Sequence, residues 1–258
     1  MVAAPQIKSM LTQLEVGPTF VHVLCTTDAN TMEVVQMVLC GRVNKNIVCA
    51  ISAQAGPIMR GAFGLCGLDG CLIRARRISD DLRLVGQPVS VDSALLRDIL
   101  ALGLVPVIAP VGFEDCGDGQ FTPLNINADT AVGTAATALD ARAFLIMTDI
   151  AGVLDKDEEV IAELRSSALK GLREDGTVFD GIISKLETTA ATVTAGAAEV
   201  SILDGRERHT LLRAVSGGKF GTRIRDDPGI VAWAAPPMKR NREVQCVRMN
   251  LYICMISF

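Results

Sequence analysis

The chain has 258 residues, of which 49% are hydrophobic, 21% charged and only 4% aromatic, with a formal net charge of −4. That length holds one large α/β domain or two lobes, and its core has to be built from Ala, Val, Ile and Leu, as in sheets covered by helices on both faces. The charge excludes an electrostatic footprint for nucleic acid or an anionic membrane, and no unbroken apolar run approaches the length of a bilayer span.

The eight cysteines form no C-x-x-C pair, the closest two being Cys66 and Cys71. With His22 and His209 as the only histidines, zinc-ligand spacing is missing and no metal site is expected. The cysteines read as small buried hydrophobes in a reducing compartment. Met1-Val-Ala-Ala-Pro5-Gln-Ile has the pattern of neither a signal peptide nor an Arg/Ser-rich transit peptide.

In chain order, Asp28 is placed to cap a helix over 28–39 whose apolar side carries Met32, Val35, Met37 and Leu39. The apolar run 47–52 predicts a buried strand, and the glycine-rich 64–70 a turn. A helix over 93–102 follows its cap Asp92, and 104–111 reads as a second buried strand whose prolines put it near an edge. Asp129 precedes a small-residue helix over 130–139, and 143–148 is a strand of unbroken apolar character. A polar excursion over 153–180 holds a weak helix at 161–172. A Thr/Ala-rich helix is expected over 185–197, a strand over 200–203 and a helix over 206–215. The alternation argues for a mostly parallel sheet with helices on both faces. After residue 224 the pattern lapses, and 225–258 reads as a poorly packed tail.

Three places could carry chemistry. In an extended segment Asn125, Asn127 and Asp129 project to one face and would line a crevice wall, although such a triplet read alone is more often a helix cap, Asp129, with asparagines as turn residues. In Asp180-Gly-Ile-Ile-Ser-Lys185, a glycine before a helix lets an anion approach and Lys185 can reach it, although a lone lysine is more often a solvated one. Thr148-Asp149 ends a strand, where ligand crevices of parallel sheets form. Gly217-Gly-Lys219-Phe-Gly221-Thr222 only superficially matches a P-loop, because Phe220 stands where Ser or Thr must follow the lysine and Arg213 where the first glycine belongs. Gly64-x-x-Gly67-x-x-Gly70 is likewise not a dinucleotide fingerprint.

Taken in order, the segments Thr27-Asp28, Thr31-Met32-Glu33, Gly64-Leu-Cys-Gly67-Leu-Asp-Gly70, Asn125-Ile-Asn127-Ala-Asp129, Thr148-Asp149-Ile-Ala-Gly152-Val-Leu154, Asp180-Gly-Ile-Ile-Ser-Lys185, Asp204-Gly-Arg206 and Gly221-Thr222 resemble the amino-acid kinase superfamily, and within it the N-acetylglutamate kinases. The resemblance implies a three-layer αβα sandwich with a mainly parallel central sheet, over residues 1–224. About 1–125 would form the substrate lobe, about 126–224 the nucleotide lobe, and 225–258 a divergent tail. It implies ATP-dependent phosphorylation of the side-chain carboxylate of N-acetyl-L-glutamate, a step of arginine biosynthesis, with MgATP as co-substrate and no prosthetic group. Asn125 and Asn127 would bind the amino-acid substrate, Asp129 would hold the catalytic lysines, and Lys185 would neutralise the transferred phosphoryl group. Asp149, Ile150, Ala151, Gly152, Val153 and Leu154, with Thr177, Val178 and Phe179, would hold the nucleotide.

Homodimers, or association with intact subunits, follow from the same resemblance, as does a soluble setting in cytoplasm or plastid. Nucleic acid and membrane are not expected as partners.

Departures from the family pattern cluster on the substrate side. The family's first strand, with a second catalytic lysine, is missing, and Val2-Ala3-Ala4 stand where a glycine loop would hold phosphate. Cys25 replaces the arginine that would clamp the substrate α-carboxylate, a bidentate role that a thiol cannot fill. These losses imply an alternative: a catalytically impaired paralogue that keeps the fold and ATP binding and acts as a regulatory or assembly subunit.

Overall fold

One helical stretch of 24 residues, Ala29–Ser52, dominates the first half of the chain. It belongs to a computed structural model that describes residues 3–15, 20–21, 24–117, 119–141, 143–168, 171–172, 185–186, 188–189, 199–216, 218, 220–225 and 252–256. The chain divides into two compact units, residues 1–139 with 257–258, and residues 140–256.

The first unit opens with α1 (Ala3–Gln13) and a small antiparallel pair, β1 (Phe20–Val21) and β2 (Leu24–Cys25). Helix α2 (Ala29–Gln36) starts as the sequence predicts, with the Asp28 carboxylate accepting the Thr31 N–H at 2.8 Å. It continues without a break through a π-helical segment, Met37–Val43, into α3 (Asn44–Ser52). The strand expected at 47–52 is therefore a helix. Extending an existing helix gains a hydrogen bond for each residue fixed, whereas a new strand must find a partner. Asn44 then fastens it: buried, it donates to the Leu65 carbonyl at 3.3 Å and the Val107 carbonyl at 2.8 Å.

By length and composition this helix could cross a bilayer, which reading its two halves as separate elements hid. Its apolar side is used otherwise. Met32, Val34, Val35, Val38, Leu39 and Val43 form a buried cluster with Leu11, Cys66, Ala109 and Val111. Met37, expected on that side, is exposed, because the wider π turn rotates Val38 and Leu39 inward in its place.

Strands β3 (Gly61–Cys66) and β6 (Leu104–Ala109) pair in parallel, with Phe63 opposite Pro106. The turn expected over 64–70 shrinks to 67–71, since Gly64 to Cys66 belong to β3. Side chains of Asn44, Lys45 and Val48 occupy the space a Cβ at Gly64 would need, so that glycine serves helix packing rather than a turn. The expected strand 104–111 divides at Pro110 into β6 and β7 (Val111–Asp115). β4 (Ile73–Arg77), β5 (Val85–Val91), β7 and β8 (Phe121–Ile126) close a four-stranded barrel in the order β4-β5-β8-β7. α4 (Ser93–Ala101) is capped by Asp92, which accepts the Ala94 and Leu95 N–H groups. α5 (Ala128–Ala138) packs its small residues on β5.

The second unit is a five-stranded sheet ordered β10-β12-β11-β9-β13. It comprises β9 (Ala143–Thr148), β10 (Glu163–Arg165), β11 (Val200–Asp204), β12 (Thr222–Arg225) and β13 (Tyr252–Ile256). All neighbours are parallel except β11 and β12. The weak helix expected over 161–172 gives way at its start to β10, where buried Leu164 between exposed Glu163 and Arg165 shows strand alternation. Of the helix expected over 185–197, residues 185–186 and 188–189 are described and helical. Helix α6 (Thr210–Val215) begins four residues later than the helix predicted over 206–215, because His209 at φ 63° is left-handed and cannot belong to it. The tail, expected to pack poorly, supplies β13, which bonds to β9 from Tyr252 opposite Ala143 to Ile256 opposite Met147. As expected, the architecture is α/β with parallel strands.

Candidate active site

Two groups of polar residues emerge, one in each unit. In the first, Asn125 near the end of β8 is held by the sheet itself. Its N–H donates to the Leu84 carbonyl at 2.8 Å, and it lies opposite Val111 in β7 and Val85 in β5. Its side-chain amide donates to Thr27 Oγ1 at 3.1 Å. Thr27 is buried, bridges to Arg83, and accepts the Leu84 N–H at its own carbonyl. Strand β8 and the start of α2 therefore meet at an Asn125–Thr27 corner. The sequence contained the Thr27-Asp28 dipeptide but no local sign that it would meet a residue 98 positions later.

The period-two wall of Asn125, Asn127 and Asp129 is broken in the middle. Asn127, not Asp129, is the N-cap of α5: its Oδ1 accepts the Asp129 N–H at 2.8 Å and the Thr130 N–H at 3.3 Å. Asn127 is exposed and committed to that cap, whereas Asp129 is buried inside the first turn. A carboxylate there is favoured by the N-terminal end of the helix dipole. Asp28 repeats the theme on α2, where the Thr31 amide holds its carboxyl below the ordinary value.

In the second unit, the carboxyl ends of β9 and β11 are joined by the Gly205 N–H, which donates to the Thr148 carbonyl at 2.7 Å. Thr148 is buried and its hydroxyl donates to exposed Asp149 at 3.3 Å. The loop that follows is anchored by β12: the Val153 N–H donates to Thr222 Oγ1 at 2.7 Å, and the Val153 carbonyl accepts the Ile161 N–H. Gly152 lies against Thr222 and Val160, with no room for a Cβ. Leu154 bridges to Val160, Ile150 is half-buried, and Asp149 and Ala151 are exposed. Of the expected nucleotide stretch 149–154, Asp149 and Ala151 thus present exposed groups, while Gly152 and Val153 build the loop.

Asp204, at the end of β11, accepts from the Arg206 backbone and, with both oxygens, from its guanidinium at 2.9 and 2.7 Å. That pairing with Arg206 keeps its carboxyl below the ordinary range. A cavity of about 520 Å³ opens beside this edge, lined by Ala151, Glu163, Asp204, Arg213, Phe220 and Arg223 among others. The Arg213 guanidinium lies over the Phe220 ring at 3.4 Å, so the P-loop-like segment makes a cation–π contact here.

Lys185 is half-buried, in a helical segment where the Thr189 hydroxyl donates to its carbonyl at 2.6 Å. Thr177, Val178 and Phe179, and the Asp180–Ser184 approach to Lys185, lie outside the described residues. Sequence reasoning missed Thr222 as a support for the Val153 loop. Its only local signal was the Gly221-Thr222 dipeptide.

A family model for the amino acid kinase family matches residues 2–204. The acetylglutamate kinase of Acidiphilium cryptum is 42% identical over 234 residues, covering 85% of this chain and 76% of its own. That of Halalkalibacterium halodurans is 40% identical over 222 residues, covering 86% and 81%. Among solved structures, smu.665 from Streptococcus mutans superposes with a TM-score of 0.71 at 24% identity over 87% of this chain and 83% of its own. Giardia carbamate kinase gives 0.61 at 16% identity over 86% and 81%. At these identities the structures attest the fold.

Proposed function

The chain belongs to the amino acid kinase family, and within it we propose an N-acetyl-L-glutamate kinase that transfers the γ-phosphoryl group of MgATP to the substrate's side-chain carboxylate, a step of arginine biosynthesis. The observation that carries this reading is the identity of about two residues in five with acetylglutamate kinases over most of the chain. Phosphoryl transfer is catalysed mainly by positioning and by charge stabilisation, and the residues assigned here suit those tasks. Asn125, steadied by Thr27, receives the amino-acid substrate, and Asn127 stands beside it as a helix cap. Asp129, buried at the start of α5, organises the catalytic lysines. Lys185 neutralises the transferred group. Asp149, Ile150, Ala151, Gly152, Val153 and Leu154, with Thr177, Val178 and Phe179, hold the nucleotide. We infer a soluble protein of a reducing compartment, as a homodimer or in association with intact subunits.

The test is an ATP-dependent acyl-phosphate assay with hydroxamate trapping, N-acetyl-L-glutamate being the acceptor. Turnover that Lys185→Ala lowers by roughly 10²–10³ supports the assignment; turnover indifferent to that change removes Lys185 from the site. The same assay tests the paralogue reading, favoured by Cys25 where a clamping arginine is expected. ATP binding by calorimetry without turnover would select it.

A further inference from the structure

Arg83 holds a strained backbone at the edge of the Asn125–Thr27 corner. Its φ of 56° is left-handed, a conformation that glycine adopts freely and a side chain opposes. The loop over 79–82 imposes it: the Leu82 N–H donates to Ser79 Oγ, and the Arg83 N–H to the Asp80 carbonyl at 3.1 Å. The flanking residues tie the chain to Thr27, whose N–H donates to the Leu82 carbonyl and whose carbonyl accepts the Leu84 N–H at 2.9 Å. Strain fixed in this way by its surroundings collects at sites where a side chain has a task.

Register puts that side chain beside the polar pair. Leu82 is buried and Leu84 packs against the core, so Arg83 between them is exposed on the other face. Arg83 is the bridge partner of Thr27, and Val85, two residues on, is the partner of Asn125. Partners share a face, and the bond from the Asn125 amide to Thr27 Oγ1 marks which one. The guanidinium's charge also reaches the Asp28 carboxyl, where it adds to the larger effect of the Thr31 amide. That carboxylate is committed to capping α2, and among the described residues Arg83 forms no ion pair. Asn125 and Thr27 are neutral, and a thiol at Cys25 is no cation, so Arg83 brings positive charge to this pair.

We propose, on the reading of this chain as an N-acetyl-L-glutamate kinase, that Arg83 is a substrate-binding residue whose guanidinium receives the α-carboxylate beside Asn125 and Thr27. Acetylation removes the charge of the substrate's amine, and the side-chain carboxylate is the group that reacts. The α-carboxylate is then the charged group left for the protein to hold. A guanidinium meets a carboxylate with two parallel N–H donors, a match in shape and charge that an amide and a hydroxyl lack. Because the α-carboxylate does not change during the transfer, Arg83 binds the ground state and the transition state alike. Its contribution therefore lies in KM rather than kcat.

The test compares N-acetyl-L-glutamate with its α-carboxamide, which keeps the reacting carboxylate and lacks the charge that Arg83 binds. Arg83→Gly removes the side chain and eases the left-handed backbone, so its melting temperature should equal or exceed that of the unaltered chain. Arg83→Gln takes its place if the glycine variant fails to fold. In the hydroxamate assay the KM for N-acetyl-L-glutamate should rise roughly 10- to 100-fold, with kcat and the KM for ATP changed by about twofold or less. The KM for the carboxamide, already high in the unaltered chain, should stay where it is. Arg83→Lys, which keeps the charge but not the fork, should fall between. An unchanged KM in the glycine variant, or an equal rise for both acceptors, overturns the proposal and leaves the kinase assignment standing. If the unaltered chain does not turn over, calorimetric titration with the same two ligands decides. N-acetyl-L-glutamate binding that Arg83→Gly abolishes sustains the carboxylate site without the kinase activity. Binding indifferent to the substitution, or no binding at all, overturns it.

Discussion

Asn125 and Thr27 show how a single hydrogen bond joins a strand end to a helix start. Thr27→Val keeps the shape and removes the acceptor, leaving the Asn125 amide without it in a partly buried place. The expected cost is about 1–2 kcal/mol of substrate binding, a roughly 5- to 30-fold rise in KM with kcat changed less, read from steady-state kinetics. Asp28 and Asp204 make a second residue-scale expectation. Both carboxyls are held below their ordinary value of 3.8 in the folded chain, by the Thr31 amide and by Arg206 respectively. A lowered folded value means the unfolded chain binds protons first as pH falls. Their stabilisation is therefore complete above the ordinary value and is lost as pH drops through the folded ones. Thermal melts should be flat near neutrality and fall below about pH 4, and Asp28→Asn with Asp204→Asn should make that acid limb shallower.

At the scale of elements, the entry to β12 is the sharpest constraint. Gly221 has φ 63°, and a Cβ there would collide with the Ile202 carbonyl of β11. Gly221→Ala must distort the antiparallel β11–β12 pair and move Thr222, which holds the Val153 N–H. A loss of about 2–4 kcal/mol in urea unfolding is expected, with weakened nucleotide binding because the 149–154 loop loses its anchor. On the neighbouring strands, Glu199 takes Arg223 at 2.9 Å and Arg225 at 3.0 Å, and Arg225 also reaches Glu163 at 3.3 Å. These partly exposed pairs bind β10, β11 and β12 side to side and contribute little each.

For the molecule as a whole, β13 decides whether β9 is an inner strand or an edge. Ala143, Phe144, Leu145 and Ile146 are all buried, and the strand is bonded to β11 on one side and β13 on the other. Deleting residues 226–258 would leave an apolar strand with a free row of N–H and C=O groups, a template for association. We expect the shortened chain to lose about 1 kcal/mol of stability for each ladder bond, to melt at lower temperature and to aggregate near its midpoint. Calorimetry and light scattering on the two lengths check this. An unchanged midpoint would show that β13 adds nothing to the sheet.

What the sequence alone determined was local or collective. The caps Asp28 and Asp92 and the strands at 143–148 and 200–203 depended on residues within a few positions of each other. The ordered motifs running from Thr27-Asp28 through Asp180–Lys185 were strong because their order is a property of the whole chain. Only the tertiary structure decided the rest, because partners distant in sequence compete with local preference. The run 47–52 became helix where Asn44 could reach the backbone of β3 and β6. Asn127 took the cap that Asp129 was expected to supply, turning one side chain of the polar triplet out of the wall. The tail acquired a strand from the ladder that β9 offers. Period and propensity report which faces a segment can bury, but the choice among them belongs to whichever surface is already there to receive it.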